Sequence, residues 1–347
     1  MSNMTDKPSL GVVLPTLNCA HLLGAHIDSM IPWIDRVDEI VVVDSHSDDG
    51  TVEMIEKRLS HPGLKIHQRP RGLYQSWNYG IAQIQSKYTY VSTVGDSISP
   101  YGIDHLLNVA EKHAADVVIS RPDFITEEGM PMKGPSWPVD KIINILAIKE
   151  PSPIGTMTCL LFQLLTIPDA ILGSSASNVY KSEILKENPF PTEYGTVGDG
   201  AWGIANVFKY SLAVTPEKFT DFRHHEKSYS RDAYAVSNLN NNLFKLMEST
   251  ILDHAKESPE FQQKYKTYQA KEMLGLVSAW FAKQFALETK RGHWLPWVLN
   301  PSAWALRLSR DETRRKLHLI INNALQSESG KNINLKDISL KDIRFNY

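Results

Sequence analysis

Short apolar runs separated by polar turns set the rhythm of the first third of the chain. Residues 10–14 (LGVVL) are closed by Pro15, 39–43 (EIVVV) run into Asp44, and 88–94 (YTYVSTV) lead to Gly95, Asp96 and Ser97. Runs of this length, rich in Val, Ile and Tyr, predict buried strands. The spacing of apolar residues predicts helices over 20–30, 52–59, 76–85 and 101–114, a weak strand at 65–67 and a further strand at 116–119. Strands alternating with helices of about 10 to 15 residues predict βαβ units, and so an α/β fold on a mostly parallel sheet. Such sheets bind ligands beyond the carboxyl ends of their strands. Asn18, Asp44 and Asp96 each fall there.

Beyond residue 121 the rhythm changes. Pro131, Pro135, Trp137 and Pro138 mark an irregular region, and 139–165 is an apolar, helix-prone insert interrupted by Pro151 and Pro153. A strand-like piece follows at 178–180, then a loop at 191–200 that holds Asp199, and a helix over 201–209. Residues 222–230 are polar and histidine-bearing. From 241 the chain reads as helical, over 241–255, 260–289 and 311–325.

Composition narrows the class. The 347 residues suffice for one large domain with an appendage, or for two domains. A hydrophobic content of 42% with 22% charged residues is ordinary for a globular protein. The net charge of −2 gives no overall pull on nucleic acid, which is not an expected partner. Two cysteines, Cys19 and Cys159, are too few for a disulfide framework or a cysteine zinc site, which fits a reducing compartment. The start MSNMTDKPSL lacks the basic and apolar parts of a signal peptide. No apolar run reaches the roughly 18 residues of a membrane span, and the nearest, 156–167, reads as a buried or interfacial helix. The expected location is cytoplasmic, either free or peripheral at the inner face of the membrane.

Several motifs, met in order, resemble those of the family 2 glycosyltransferases, which have the GT-A fold and use nucleotide-sugar donors. Val13-Leu-Pro-Thr-Leu-Asn18 is similar to the family's first strand, which ends in Pro-Thr-x-Asn. Val42-Val-Asp-Ser-His-Ser-Asp-Asp-Gly-Thr51 resembles Val-Val-Asp-(Asp/Ser)-Gly-Ser-x-Asp-Gly-Thr, with His46 where glycine is common. Gly72-Leu-Tyr-Gln-Ser-Trp-Asn-Tyr-Gly-Ile81 resembles the Gly-Ile-Tyr-Asp-Ala-Met-Asn-Lys-Gly-Ile of a branch that builds bacterial surface polysaccharides. Val94-Gly95-Asp96 falls where that branch has Ser-Gly-Asp in place of the commoner Asp-x-Asp. The resemblance is strong over about residues 10–120, weaker to 230, and absent from the last hundred or so.

It implies a GT-A domain over 1–235, with a donor half at about 8–120 and an acceptor half at about 121–235, then a helical C-terminal extension over 236–347. It also implies an inverting, metal-dependent transferase in bacterial cell-surface polysaccharide synthesis. The donor would be a UDP- or GDP-sugar and the acceptor a glycan or a lipid-linked hydroxyl.

Residue roles follow from the same resemblance. Asp96 is the expected carboxylate for Mn²⁺ or Mg²⁺, hard cations that prefer carboxylate and phosphate oxygens. Val94 leaves it the single carboxylate of its motif, and Ser97 adds only a hydroxyl. A turn or helix-cap role would also suit Asp96. Asp44 is placed to read the base, since a carboxylate accepts the imide N–H of uracil or the N–H groups of guanine. Asp44 and Ser47 also have the spacing of a helix cap, and both roles can hold together. Pro15, Thr16 and Asn18 line the same pocket, with Asn78 and Arg71 as further donor-side candidates.

Val197-Gly-Asp-Gly-Ala-Trp202 falls where the family has an acidic pair before an aromatic residue. This makes Asp199 the expected general base, with Gly198 in the glutamate's place; local sequence alone makes Asp199 a cap of the next helix. Phe222-Arg-His-His-Glu-Lys-Ser-Tyr-Ser230 resembles Tyr-Arg-Arg-His-x-x-Ser-x-Ser. By that match His225 is a metal or diphosphate ligand, and Arg223 and Ser230 are phosphate partners.

The tail mixes Trp280, Trp294, Trp297 and Trp304 with Arg291, Arg307, Arg310, Arg314, Arg315 and Lys316. Basic helices bearing tryptophan can lie on anionic membranes. A packed helical subdomain with a solvated basic face is the plainer reading, because Asp311 and Glu312 interrupt the charge. Peripheral membrane contact through these helices and a homo-oligomer both stay open. Among rival activities, nucleotidyl transfer lacks support: Pro15-Thr16-Leu17-Asn18 has no glycine-rich loop with a basic residue. A dehydrogenase is the least expected, because no G-x-G-x-x-G follows the first strand. A non-catalytic nucleotide-sugar-binding relative remains as the alternative, since the first aspartate and the glutamate of two motifs are replaced.

Overall fold

The computed structural model describes residues 7–134, 137–224, 233–291 and 301–329. Its first apolar runs form β1 (Leu10–Thr16), β2 (Glu39–Asp44), β3 (Leu64–Gln68) and β4 (Tyr88–Val91). They are joined by α1 (Ala20–Met30), α2 (Thr51–Arg58) and α3 (Leu73–Gln83). These strands run parallel in the order β3-β2-β1-β4. Leu10 to Leu14 are buried on both faces of β1, which is why the run reads as continuously apolar instead of alternating. On one face, Leu10, Val12, Leu14, Ile40 and Val42 pack against Leu23, Ile27 and Met30 of α1.

β4 ends earlier than its apolar pattern suggests. Ser92 still donates its N–H to the Val13 carbonyl at 2.9 Å, but Gly95 then takes a φ of 106° and turns the chain. That left-handed conformation favours glycine. Beyond the turn lie β5 (Ser97–Ile98), α4 (Pro100–His113) and β6 (Val117–Ile125). The irregular middle contains β7 (Pro131–Met132), α5 (Pro138–Ile145), β8 (Ser152–Ile154), α6 (Thr156–Thr166), β9 (Asn178–Lys181), α7 (Ser182–Glu187), α8 (Gly198–Asn206) and β10 (Leu212–Arg223). Among the described residues the sheet has ten strands in the order β3-β2-β1-β4-β9-β6-β10-β5, with β7 on β6 and β8 on β10.

Four of these strands, β5, β7, β8 and β10, were hidden in the sequence. Pro151 and Pro153 do more than interrupt a helix: 152–154 pair antiparallel with β10, at an edge where a missing N–H is tolerated. β10 itself loses its alternation at Pro216-Glu217-Lys218, where its pairing with β6 slips register. It is nonetheless the strand that brings Arg223 to Asp96.

The described chain divides into two compact units. The first holds the sheet: the chain through Ile154, then Leu172–Gly203, then β10. The second takes Gly155–Ile171, Ile204–Lys209 and the C-terminal helices α9 (Ala233–Glu257), α10 (Pro259–Thr267), α11 (Ala270–Arg291) and α12 (Pro301–Ser329). Every residue of α6 from Met157 to Thr166 is buried, and the helix packs against α10, α11 and α12. A helix apolar on all sides has to be covered, and here its own unit covers it. Among the described residues no helix is long and apolar enough to cross a membrane.

Candidate active site

At the carboxyl edge of the parallel strands, the loops after β1 and β2 are tied to each other. Thr16 and Asp44 are register partners at the ends of β1 and β2. Asp44 is fully buried, and its Oδ1 accepts from the hydroxyls of Thr16 (2.9 Å) and Ser47 (2.6 Å) while Oδ2 accepts from the Ser47 N–H (2.8 Å). Asn18, at φ 45°, accepts from the Asp48 N–H at 3.0 Å and donates its own N–H to the Ser47 hydroxyl at 2.9 Å. Asp49 receives the Ala20 N–H at 3.0 Å, so it also caps the start of α1. Asp44 and Ser47 do not cap α2, which starts after Gly50 without a side-chain cap; their bonds instead close the loops and fix the Asp44 carboxylate. Pro15 stands in β1 just before Thr16, half-buried.

Asp96 lies beyond β4 at the same edge, because Ser92 continues the β1 pairing. It is 7% exposed, and its Oδ1 accepts the main-chain N–H of Arg223 at 2.9 Å. Burial pushes its carboxyl up to about 7; the Arg223 N–H and guanidinium oppose this, and the charge of Asp221 adds to it. Its carbonyl is held from below by His26 of α1, whose Nδ1 lies 2.9 Å away, with Nε2 3.0 Å from the Ser92 hydroxyl. Burial lowers the His26 pKa to about 4, so the ring is neutral: Nδ1–H donates to the Asp96 carbonyl and Nε2 accepts from Ser92. His26 was legible only as a polar residue on the apolar face of α1.

Val94 stands where the resembled motif has its first aspartate. Its side chain is half-buried and packs against the apolar core. Ser97 donates to Asp221 Oδ2 at 3.1 Å across the β5–β10 pairing. Arg223 spends its guanidinium on carbonyls: Nε donates to Gly95 at 3.1 Å, and Nη1 donates to Thr126 at 3.3 Å and to Glu127. Its side chain therefore fastens the turn after β6 to the Gly95-Asp96 corner.

Asp199 sits in the first turn of α8, where the expected loop is already helical. Its Oδ1 accepts from the Tyr74 hydroxyl and from the Gly200 N–H, both at 2.8 Å. Burial raises its carboxyl pKa, and these two donors oppose the rise. Tyr74 lies in the first turn of α3, which packs on β1 and β2 and begins at their carboxyl edge. Asp199 is thereby brought to the edge that carries Asp44 and Asp96. Tyr74 belongs to the third motif, yet nothing in the sequence alone tied it to residue 199.

The remaining candidates are placed less centrally. The Asn78 amide donates to the Phe190 carbonyl at 2.8 Å and accepts the Phe190 N–H at 2.9 Å, so it fastens that segment to α3. Arg71 is exposed on the turn into α3. His225 and Ser230 lie outside the described residues.

The donor set can be weighed against a divalent cation. Among the described residues no group of three or more His, Cys, Asp or Glu side chains could hold a metal. Asp96 and its neighbour Asp221 supply hard carboxylate oxygens, and the resistance of Asp96 to ionisation is of the kind that a nearby cation relieves. The set fits a cation whose shell a diphosphate completes, and does not fit a self-sufficient protein cage.

Comparison with known proteins finds similarity over the first part of the chain. Residues 11–166 match the sequence model of glycosyl transferase family 2. A cholesterol galactosyltransferase of Borreliella burgdorferi is 28% identical over 123 residues, covering 35% of this chain and 34% of its own. An uncharacterized glycosyltransferase of Rickettsia bellii is 27% identical over 109 residues, covering 31% of this chain and 16% of its own. The match thus spans about a third of the first relative and about a sixth of the second. Among solved structures, residues 1–349 of S. aureus TarS with UDP-GlcNAc superpose with a TM-score of 0.51 at 14% identity, covering 93% of this chain and 92% of that one. The same protein with UDP gives a TM-score of 0.50, also at 14% identity and with the same coverage. Residues 11–166 are thus similar to glycosyl transferase family 2, and the mostly parallel α/β fold with its C-terminal helical region is similar to that of TarS.

Proposed function

We propose that the protein is an inverting glycosyltransferase, moving a sugar from a UDP- or GDP-sugar to a hydroxyl of a glycan or lipid-linked acceptor in bacterial cell-surface polysaccharide synthesis. The observation that carries this reading is the gathering of Asp44, Asp96 and Asp199 at one edge of the sheet, from three separate stretches of chain. Asp44, held rigidly by Thr16 and Ser47, reads the base. Asp96 faces the diphosphate, where bound Mn²⁺ or Mg²⁺ would neutralise the leaving group. UDP is the first donor nucleotide to test, since structural neighbours of the same fold were solved with UDP and UDP-GlcNAc.

Asp199 is the general base. It takes the proton of the acceptor hydroxyl as that oxygen bonds to the anomeric carbon and the bond from that carbon to the diphosphate breaks. Burial raises its proton affinity, which moves a carboxylate toward the working pH of a base. The positive end of α8 keeps enough of it ionised to act.

The test is release of UDP from UDP-sugars in the presence of Mn²⁺, compared between the unmutated protein and Asp199→Asn. Loss of a general base slows turnover by about 10²- to 10⁴-fold. UDP affinity is expected to stay unchanged in the variant. Turnover by Asp199→Asn at the unmutated rate contradicts the assignment. An unmutated protein that binds UDP but releases none from any UDP-sugar is instead a non-catalytic relative.

A further inference from the structure

We infer that Tyr74 is a positioning residue for the base: its hydroxyl fixes which oxygen of Asp199 faces the acceptor and sets how readily that oxygen takes a proton. The inference rests on the reading of Asp199 as the base.

The geometry is specific about the oxygens. Tyr74 and the Gly200 N–H both donate to Oδ1, at 2.8 Å each. With Oδ1 receiving two donors, Oδ2 is the oxygen left to accept from a substrate hydroxyl. The same Tyr74 hydroxyl lies 3.0 Å from the Thr196 carbonyl. One phenolic proton thus has two acceptors. While Asp199 is ionised the charge-assisted bond is the stronger, and once Asp199 is protonated the carbonyl offers an alternative.

The ring that carries this hydroxyl is locked. Tyr74 is 3% exposed, edge-on to Trp77 with centroids 5.0 Å apart, and 6.0 Å from the ring of Phe190. It also accounts for Gly198. A Cβ at 198 would meet the Tyr74 ring at 2.4 Å and the Pro191 carbonyl oxygen at 2.6 Å. The position expected to hold a glutamate has no room for a side chain, because the residue that steers the base occupies that space.

The titratable groups facing Asp199 are Tyr74 on α3 and Tyr180 on β9, whose ionisation its charge disfavours. Both stay protonated through the range in which Asp199 titrates, so a shift of the acid limb reports on the carboxylate itself.

Tyr74→Phe keeps the packed ring and removes only the hydroxyl. UDP release from UDP-GlcNAc is followed against pH at saturating donor and Mn²⁺, so that Asp96 is held ionised throughout. The acid limb is expected to move up by about one unit, as loss of a hydrogen bond to a charged group requires. The plateau is expected to fall about tenfold as orientation is lost. A second readout needs no turnover: the melting-temperature gap between the unmutated protein and Tyr74→Phe widens from pH 4 to pH 8, because the bond is made to the ionised carboxylate. An acid limb that stays in place, or a gap flat with pH, overturns the inference. If Asp199→Asn turns over normally while the gap still widens, the base assignment is what fails, and the Tyr74–Asp199 bond stands.

Discussion

Asp44 and Asp96 leave strands on either side of β1 at one edge of the sheet, and the chain treats them in opposite ways. Asp44 receives three hydrogen bonds from Thr16 and Ser47, side chains and backbone within its own pair of loops. Among the described residues the Asp96 carboxylate receives one, from a main-chain N–H delivered by β10. One carboxylate is solvated by the protein before any ligand arrives; the other is buried and left short, with its pKa pushed up to about 7. The first arrangement suits a group that must hold still and read N–H donors. The second suits a group whose charge is stabilised only when a cation joins it.

Removing the short-changed carboxylate should have the larger consequence. Asp96→Ala is expected to abolish the Mn²⁺-dependent part of UDP binding, on the order of 100-fold, with the affinity in EDTA little changed; calorimetry reads both. Asp44→Asn is expected to weaken UDP binding by about tenfold, and by the same factor with and without metal, because it places an amide against the Ser47 N–H. If the two variants responded alike to Mn²⁺, the contrast between the carboxylates would collapse.

A smaller effect tests the burial of Asp96 directly. The unfolded chain loses this proton near the ordinary carboxylate range, while the folded protein keeps it until about pH 7. The folded state then binds the extra proton between those limits, so Asp96 costs stability as pH rises through that window. Asp96→Asn is therefore expected to raise Tm by a few degrees at pH 8, with the gain vanishing near pH 4. A loss of stability at pH 8 would mean that the ionised carboxylate is better compensated than its surroundings suggest.

Much of the edge was legible in the sequence, and the reason is local. The β1, β2 and β4 runs are continuous apolar segments ending in polar residues, so strand, turn and candidate ligand read together. What was hidden depends on distant pairing. Arg223 carried a phosphate-partner expectation from its motif, but its bonds to Gly95, Thr126 and Glu127 depend on β10, a strand broken by Pro216-Glu217-Lys218. Asn78 sat in a donor motif, yet its amide is engaged by Phe190, more than a hundred residues away. Tyr74 and Gly198 made no joint sense until α3 and α8 were seen to meet. In the tail, where a packed helical subdomain was the plainer reading, part of the charge is paired, Lys264 with Glu328 at 3.0 Å and Lys316 with Glu312 at 3.2 Å.

On the proposed function, this edge holds a nucleoside diphosphate through Asp96 and a cation. Titrating UDP into the unmutated protein, once with Mn²⁺ and once with EDTA, tests it most directly. Clearly tighter binding is expected with Mn²⁺, by an increment that grows as pH rises through about 7, where Asp96 gives up its proton. Equal affinity in the two solutions, at pH values on both sides of 7, would contradict it.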